Sequence, residues 1–289
     1  MIGDWLGDDV ARALGDRAGD LGLAADAVLR GGAAALSHYG DTALDVRSKS
    51  EGDPVTEADH AANDEIIRIL SAGRPLDPIL SEESVPPVLG RRPPRLWVVD
   101  PLDGTKEFIA GNGEFSIMVG LAEHGEAVLG TVYQPVPDRL FLGGPGIGAW
   151  VVADAQRTAV VTTLDLSPRT PDRLRFARSR SHPDERLQRL ADSLGDVEMV
   201  VSGSVGIKCA LIASGEADIY VHPVPFLKEW DTCGPEAVLR GAGGRVTDCL
   251  GRSLDYGKEN PHQLAGIFAA RPDVWERSRP LVEAIADFV

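Results

Sequence analysis

Two aspartates, Asp100 and Asp103, stand at the end of an apolar run and directly before a Gly-Thr pair. This order predicts carboxylates at the carboxyl end of a strand, with the main-chain amides of Gly104 and Thr105 available to an anion. Carboxylates alone would repel a phosphate, whereas carboxylates that hold Mg²⁺ would attract one and activate water against it. The segment therefore favours a metal-dependent phosphatase. The alternative is an ordinary Asp-Pro-x-Asp-Gly turn that binds nothing.

Three further acidic residues could complete such a centre. One of the adjacent glutamates Glu82 and Glu83, which follow an apolar pair at a predicted strand end, is the first of these. Asp59 falls in the first turn of a predicted helix, and Asp231 precedes another helix. Each has an ordinary alternative role, namely a solvated acidic loop for the glutamates, a partner of the helix dipole for Asp59 and an N-cap for Asp231. Their combination with Asp100 and Asp103 favours a centre that holds several metal ions.

Other chemistries fit the sequence poorly. There is no GxSxG motif, and none of the six histidines stands in an HExxH spacing. Asp100 and Asp103 are three residues apart, which differs from the Asp-x-Asp pattern of a phosphoaspartate nucleophile. The glycine-rich run at 143–148 fits neither nucleotide-loop spacing, so we expect a hairpin turn there.

The order of predicted elements indicates an α/β protein. The first half predicts helices at about Asp8–Tyr39 and Thr56–Ser71, with Thr56 as N-cap and a mobile loop at Arg47–Pro54 between them. An antiparallel meander follows, with strands at Phe115–Ala122, Ala127–Tyr133, Arg139–Gly143 and Ala149–Val152. In the second half, strands and helices alternate. The predicted strands are Leu174–Ser179, Val197–Ser202 and Ala217–Val221, followed by short ones at Arg245–Asp248 and Gly266–Ala270. The predicted helices are Asp184–Leu194, Val205–Ser214 and Cys233–Gly241. We expect an N-terminal α+β lobe over 1–160 and a C-terminal α/β lobe over 161–289 that completes the site.

Composition limits the partners. The chain has 289 residues and a net charge of −15, which argues against nucleic acid or an anionic membrane as a partner. Its three cysteines form no CxxC pair, so we expect reduced thiols. The N-terminal residues Met1–Asp4 lack the basic charge of a signal peptide, and no run of about 18 apolar residues occurs. We expect a cytoplasmic protein.

Four separated motifs resemble those of the Mg²⁺-dependent, lithium-sensitive phosphatase superfamily that includes the inositol monophosphatases. These motifs are Pro54–Asp59, Leu80–Ser84, Asp100–Thr105 and Trp230–Asp231, and the likeness extends from about Ala24 to Ala270. The resemblance implies a layered α/β/α/β/α sandwich of the inositol monophosphatase and fructose-1,6-bisphosphatase type, with the metal site where two lobes meet.

Within that superfamily the chain looks most similar to the 3′(2′),5′-bisphosphate nucleotidases of sulfur metabolism. The residues that carry this likeness are Lys106–Ile109, Asn112–Phe115, Ser179–His182, Gly203–Ser204 with Lys208, and Trp230–Cys233 with Pro235–Glu236. The resemblance implies removal of the 3′-phosphate from adenosine 3′,5′-bisphosphate, or from its sulfated form. His222 stands where the inositol enzymes typically carry a glutamate, which makes inositol phosphate a less favoured substrate.

The resemblance also implies roles for individual residues. The carboxylates of Glu82, Asp100, Asp103 and Asp231 and the carbonyl of Leu102 would hold two or three Mg²⁺ ions. Asp59 and Thr105 would orient or deprotonate the attacking water, and His182, Ser204 and Lys208 would contact the nucleotide. Two alternatives stay open, an inositol- or sugar-phosphate phosphatase on the same scaffold and a non-catalytic regulator that binds phosphate or metal. The sequence leaves open whether the protein is a monomer or a homodimer.

Overall fold

A computed structural model describes residues 5, 7, 14–41, 46–50, 53–85, 92–167, 173–181 and 184–286. The larger of its two main sheets has seven strands in the order β3-β4-β5-β6-β7-β8-β9. Their bounds are β3 Ile79–Ser81, β4 Arg95–Asp103, β5 Ser116–Glu123, β6 Glu126–Gln134, β7 Arg139–Gly144, β8 Gly148–Ala153 and β9 Val160–Leu164. From β4 to β9 each strand pairs antiparallel with the next, which confirms the predicted meander and the turn at 143–148.

The second main sheet has five strands in the order β11-β10-β12-β14-β13. Their bounds are β10 Leu174–Ser179, β11 Val197–Ser202, β12 Ile219–His222, β13 Arg245–Thr247 and β14 Ile267–Ala270. Strand β10 runs parallel to both β11 and β12. The carboxyl ends of these strands therefore meet at one edge of the sheet.

The helices lie in three layers around these sheets. Their bounds are α1 Asp16–Leu36, α2 Glu57–Gly73, α3 Thr105–Ile109, α4 Glu185–Leu194, α5 Val205–Ala213, α6 Glu229–Gly241 and α7 Pro272–Ile285. One buried cluster packs α1 and α2 on the outer face of the seven-stranded sheet, and a second packs α5 and α6 between the two sheets. A third packs α4 and α7 on the outer face of the five-stranded sheet. This order of layers confirms the predicted α/β/α/β/α sandwich.

Local sequence explains where α2 begins. Thr56 caps the helix, because its hydroxyl accepts from the amide of Ala58 while Asp59 accepts from the amide of Thr56. This reciprocal capping confirms the predicted start and fixes the Asp59 side chain at the amino end of α2.

Two expected elements need correction. The mobile loop at Arg47–Pro54 is wrong, because β1 Val46–Ser50 and β2 Asp53–Thr56 form a two-stranded antiparallel sheet in which Arg47 pairs with Val55. Main-chain pairing thus makes strands of the polar residues 46–50 and 53–56, which lack a hydrophobic alternation. Helix α6 begins at Glu229 rather than near Cys233, so Asp231 lies inside its first turn and not before it.

The ends of the predicted elements shift elsewhere without changing the layers. Helix α1 runs from Asp16 to Leu36, and residues 8–13 of the longer predicted helix lie outside the described residues. The boundary expected at residue 160 falls at the start of β9, which still belongs to the first sheet. The division into two lobes stays a prediction. In the described part of the chain, no helix is both long and apolar enough to cross a membrane.

Candidate metal centre

Three aspartates converge where β4 ends and α6 begins. Asp100, Asp103 and Asp231 each offer a carboxylate oxygen, and these oxygens all lie within 4.8 Å of one another. The pairing of β4 with β5 is irregular between Asp100 and Asp103, so the intervening Pro101-Leu102 pair lets both carboxylates reach the same place. Asp100 is held in turn by the amide of Leu102, 3.0 Å from its Oδ1 atom.

Burial makes this cluster costly without a cation. It raises the pKa of Asp231 well above its usual value and also raises the pKa of Asp103. The next causes for Asp231 are the negative charges of Glu82 and Asp103. Asp100 is buried and Asp103 and Asp231 are half-buried, and a hard divalent cation such as Mg²⁺ binds such a set of oxygen donors and relieves their repulsion. The residues present therefore fit the metal that the resemblance implies.

Glu82 borders this cluster from the edge of the sheet. Strand β3 runs parallel to β4, and the amide of Glu82 donates to the carbonyl of Val99 at 3.2 Å. This pairing places Glu82 beside the end of β4, and its charge raises the pKa of Asp231. Glu82 therefore lies near the three aspartates but outside the set whose oxygens are within 4.8 Å of one another.

Asp59 and Thr105 form a hydrogen-bonded pair next to the aspartates. Thr105 opens α3, and its Oγ1 donates to Asp59 Oδ1 at 3.0 Å and lies 3.4 Å from the Leu102 carbonyl. Asp59 Oδ2 accepts from the amide and the hydroxyl of Thr56 at 2.8 and 2.7 Å. Because Asp59 is almost fully buried, these bonds leave it a single orientation. The residues predicted to act on water are therefore together.

Gly104 forms the turn between β4 and α3. Its φ is 99°, a conformation that costs glycine little and other residues more. A Cβ atom there would also lie 3.1 Å from the carbonyl oxygen of Glu114. This turn separates Asp103 from Thr105 by one residue and sends their side chains to different partners.

Ser204 lies beside the metal centre. Its hydroxyl donates to Asp103 Oδ2, lies 2.7 Å from the hydroxyl of Ser116 and accepts from the amide of Ile207. Asp103 Oδ2 also accepts from the amide of Gly206 at 2.9 Å. Ser204 thus caps α5 and orients a candidate metal ligand, and its contact with the nucleotide stays a prediction.

Lys208 is buried instead of facing solvent. Its Nζ atom donates to the carbonyls of Gly203 and Ser204 and lies 5.1 Å from the centre of the Tyr220 ring. Burial lowers the pKa of Lys208 to about 8, although the charge of Asp103 opposes that shift. The contact of Lys208 with the nucleotide stays a prediction. His182, the third predicted nucleotide contact, lies outside the described residues.

Two side-chain pairs near the centre were not predicted from the sequence. Glu107 accepts from the hydroxyl of Ser181, and Glu114 accepts from the guanidinium of Arg180. Glu107, Glu114, Arg180 and Ser181 all fall within segments on which the family resemblance was recognised. Nothing in their local sequence indicated that they pair with one another.

Comparison with known proteins identifies the family. A sequence model of the inositol monophosphatase family matches residues 20–276 of the chain. The chain belongs to the inositol monophosphatase family. The 3′(2′),5′-bisphosphate nucleotidase CysQ of Escherichia coli (strain K12) is 38% identical over 75% of this chain and 85% of the relative. The CysQ nucleotidase of Aggregatibacter actinomycetemcomitans is 32% identical over 80% of this chain and 86% of the relative.

A solved structure supports the same assignment. The crystal structure of CysQ from Bacteroides thetaiotaomicron, described as a bacterial member of this family, aligns with a TM-score of 0.74 and 32% identity. The alignment covers 87% of this chain and 97% of the solved chain. The predicted family and fold are therefore confirmed.

Proposed function

We propose that the chain is a metal-dependent phosphomonoesterase that converts adenosine 3′,5′-bisphosphate to AMP and phosphate. The observation that carries the proposal is the convergence of Asp100, Asp103 and Asp231 beside the Asp59–Thr105 pair. This constellation occurs in a chain whose relatives are named 3′(2′),5′-bisphosphate nucleotidases. The finer substrate, either the bisphosphate or its sulfated form, belongs to the same proposal.

The metal ligands in this proposal are side chains and one carbonyl. Asp100, Asp103, Asp231 and Glu82 would supply carboxylate oxygens, and Leu102 would supply its carbonyl to complete sites for two or three Mg²⁺ ions. When bound, Mg²⁺ lowers the pKa of water and offsets negative charge on the phosphoryl and leaving oxygens. Ser204 and the amide of Gly206 would keep Asp103 directed at the metal.

Asp59 and Thr105 would direct the attacking water. Thr105 Oγ1 already donates its proton to Asp59 Oδ1, so its lone pairs are available to accept from a water molecule. A water that donates to Thr105 Oγ1 would keep a lone pair free to attack the phosphorus atom. The proton lost on attack can pass through Thr105 Oγ1 to Asp59, which the bonds from Thr56 hold in place.

The turn at Gly104 would bind the reacting phosphate. The amides of Gly104 and Thr105 lie directly after the candidate ligand Asp103, where they can donate to phosphoryl oxygens.

His182, Ser204 and Lys208 remain candidates for nucleotide recognition, with Ser204 and Lys208 acting through the segment they hold in place. Such a protein needs only a small phosphorylated nucleotide as partner. The three free, buried cysteines fit a reducing compartment, and we propose the cytoplasm.

A substrate panel tests the proposal. We would measure phosphate release with Mg²⁺ from adenosine 3′,5′-bisphosphate, inositol 1-phosphate and fructose 1,6-bisphosphate at equal concentrations, with chelator-treated protein as the control. We expect kcat/KM for the nucleotide to exceed the other two by at least about tenfold. Preference for inositol 1-phosphate or fructose 1,6-bisphosphate would replace the proposal with the sugar-phosphate alternative. Release from none of them would favour the non-catalytic regulator.

A further inference from the structure

Glu114 joins the segment after the metal centre to two turns of the second sheet. Its carboxylate accepts from Arg180 Nε at 2.7 Å and Nη2 at 2.5 Å, and from the amide of Gly203 at 2.9 Å. Its carbonyl also accepts from the amide of Ser204 at 3.3 Å. One residue thereby holds residues that follow β10 and residues that follow β11.

Glu107 makes a second connection from the same segment. Its carboxylate is buried and accepts from the hydroxyl of Ser181. Gly203 packs so closely against it that a Cβ atom at 203 would lie 2.5 Å from Glu107 Cγ. A buried carboxylate is costly unless hydrogen-bonded, so the contact with Ser181 and the packing on Gly203 define where Glu107 can lie.

The turns that Glu107 and Glu114 hold lie at the carboxyl ends of two neighbouring strands. Strands β10 and β11 are parallel, and Ser179 pairs with Ser202 at their last residues. The turns 180–181 and 203–204 therefore leave the same edge of the sheet. Ligands of such sheets bind outside the carboxyl ends of the strands, and Ser204 at this edge contacts the candidate ligand Asp103. The part of a substrate that extends beyond its reacting phosphate would lie against this edge.

We propose that Glu107 is a positioning residue that fixes Ser181 at this edge and thereby sets selectivity for substrates with a second phosphorylated end. The inference rests on the proposed function, because it names how that site distinguishes a nucleotide bisphosphate from a small monoester. Glu107 acts through Ser181 and the adjoining turn and does not touch the reacting atoms. Glu114 supports the same turn through Arg180.

A double-mutant cycle tests the proposal. The variants are Ser181→Ala, Glu107→Ala and their combination, with Glu107→Gln as the conservative replacement that still accepts from the Ser181 hydroxyl. Each is assayed with Mg²⁺ on adenosine 3′,5′-bisphosphate and on p-nitrophenyl phosphate. Ser193→Ala is the matched control, because the Ser193 hydroxyl bonds only to its own helix at Arg189 in the described structure.

The expected result is a split between the two substrates. Ser181→Ala and Glu107→Ala should each raise KM for the bisphosphate by about tenfold, with kcat on p-nitrophenyl phosphate changed less than about threefold. The double variant should be no worse than Glu107→Ala, and Glu107→Gln should recover most of the loss. The control Ser193→Ala should behave as the parent protein does.

Other outcomes overturn the inference. Equal losses on both substrates would mean that Glu107 is only structural. Independent, multiplying losses in the double variant would mean that Glu107 does not act through Ser181. Failure of the proposed function itself would be visible separately, because the unaltered protein would then not hydrolyse the bisphosphate in preference to other phosphates.

Discussion

Replacing Asp231 by asparagine should stabilise the metal-free protein and weaken its response to Mg²⁺. The carboxylate oxygens of Asp100, Asp103 and Asp231 lie within 4.8 Å of one another, so each ionised pair repels by at least about 3.5 kcal/mol at an effective dielectric constant of about 20. Three such pairs amount to about 10 kcal/mol, which is comparable to the whole stability of a domain. Protonation of a carboxylate relieves part of this repulsion, and the raised pKa of Asp231 indicates that this aspartate takes up a proton.

The sign of the pH dependence follows from that raised pKa. A carboxyl whose pKa is higher in the folded state favours folding in its protonated form, so stability is greatest below the unfolded pKa near 4 and falls as pH rises through the folded value. Asparagine removes this loss and can still accept from the amide of Lys228, which lies 2.5 Å from Asp231 Oδ2. We expect a gain of about 2 kcal/mol at pH 8, or about 3 °C in Tm, and little gain at pH 4.

Thermal unfolding with and without Mg²⁺ measures both effects. In chelator, Asp231→Asn should unfold at a higher temperature than the parent at pH 8, whereas saturating Mg²⁺ should stabilise the parent more than the variant. Asp196→Asn is the control, since that side chain is 77% exposed and pairs with Arg173 at the surface. A lower Tm for Asp231→Asn in chelator at pH 8, or an equal Mg²⁺ response in both proteins, would refute the reasoning.

Three further predictions concern the neighbours of this centre. Thr105→Ala should lower kcat by at least about 100-fold with Mg²⁺ affinity nearly unchanged, and Thr105→Ser should restore most of the rate; a normal kcat for Thr105→Ala would exclude its role toward water. Gly203→Ala should lower the free energy of unfolding by about 1–3 kcal/mol in denaturant, because its Cβ would lie 2.5 Å from Glu107 Cγ. Its control is Gly19→Ala in α1, whose Cβ would have its nearest neighbour at 3.6 Å and which should be neutral or stabilising. Lys208→Met should destabilise by about 2 kcal/mol, because the buried Gly203 carbonyl loses its donor while the Ser204 carbonyl keeps the amide of residue 208. It should also slow bisphosphate hydrolysis more than monoester hydrolysis, and equal losses on both substrates would exclude a role of Lys208 in nucleotide recognition.

Local signals in the sequence predicted the first half of the centre well. The apolar run before Asp100 and the Thr56 cap of α2 act over a few residues, and both reappear as β4 and the capping box. The meander was equally visible, because each of its strands follows its neighbour through a short turn. The polar β1–β2 pair was missed because nothing in its side-chain pattern has the period of a buried strand.

The contacts that orient the ligands were beyond local reasoning. Ser204 bonds Asp103 across 101 residues, and Ser181 bonds Glu107 across 74. Such pairs are set by how the two sheets enclose α5 and α6. Lys208 shows the limit most clearly, since its charge suggested an exposed or phosphate-facing side chain, whereas packing on Tyr220 and the turn at 203–204 buries it.

The most direct test of the metal-centred account compares the parent protein with Asp100→Asn. Adenosine 3′,5′-bisphosphate is incubated with each protein over a Mg²⁺ titration, and the nucleotide product is identified by chromatography against 5′-AMP and 3′-AMP. We predict Mg²⁺-dependent formation of 5′-AMP by the parent and its loss in Asp100→Asn at every Mg²⁺ concentration. Near-normal formation of 5′-AMP by Asp100→Asn, or formation of 3′-AMP by the parent, would contradict the account.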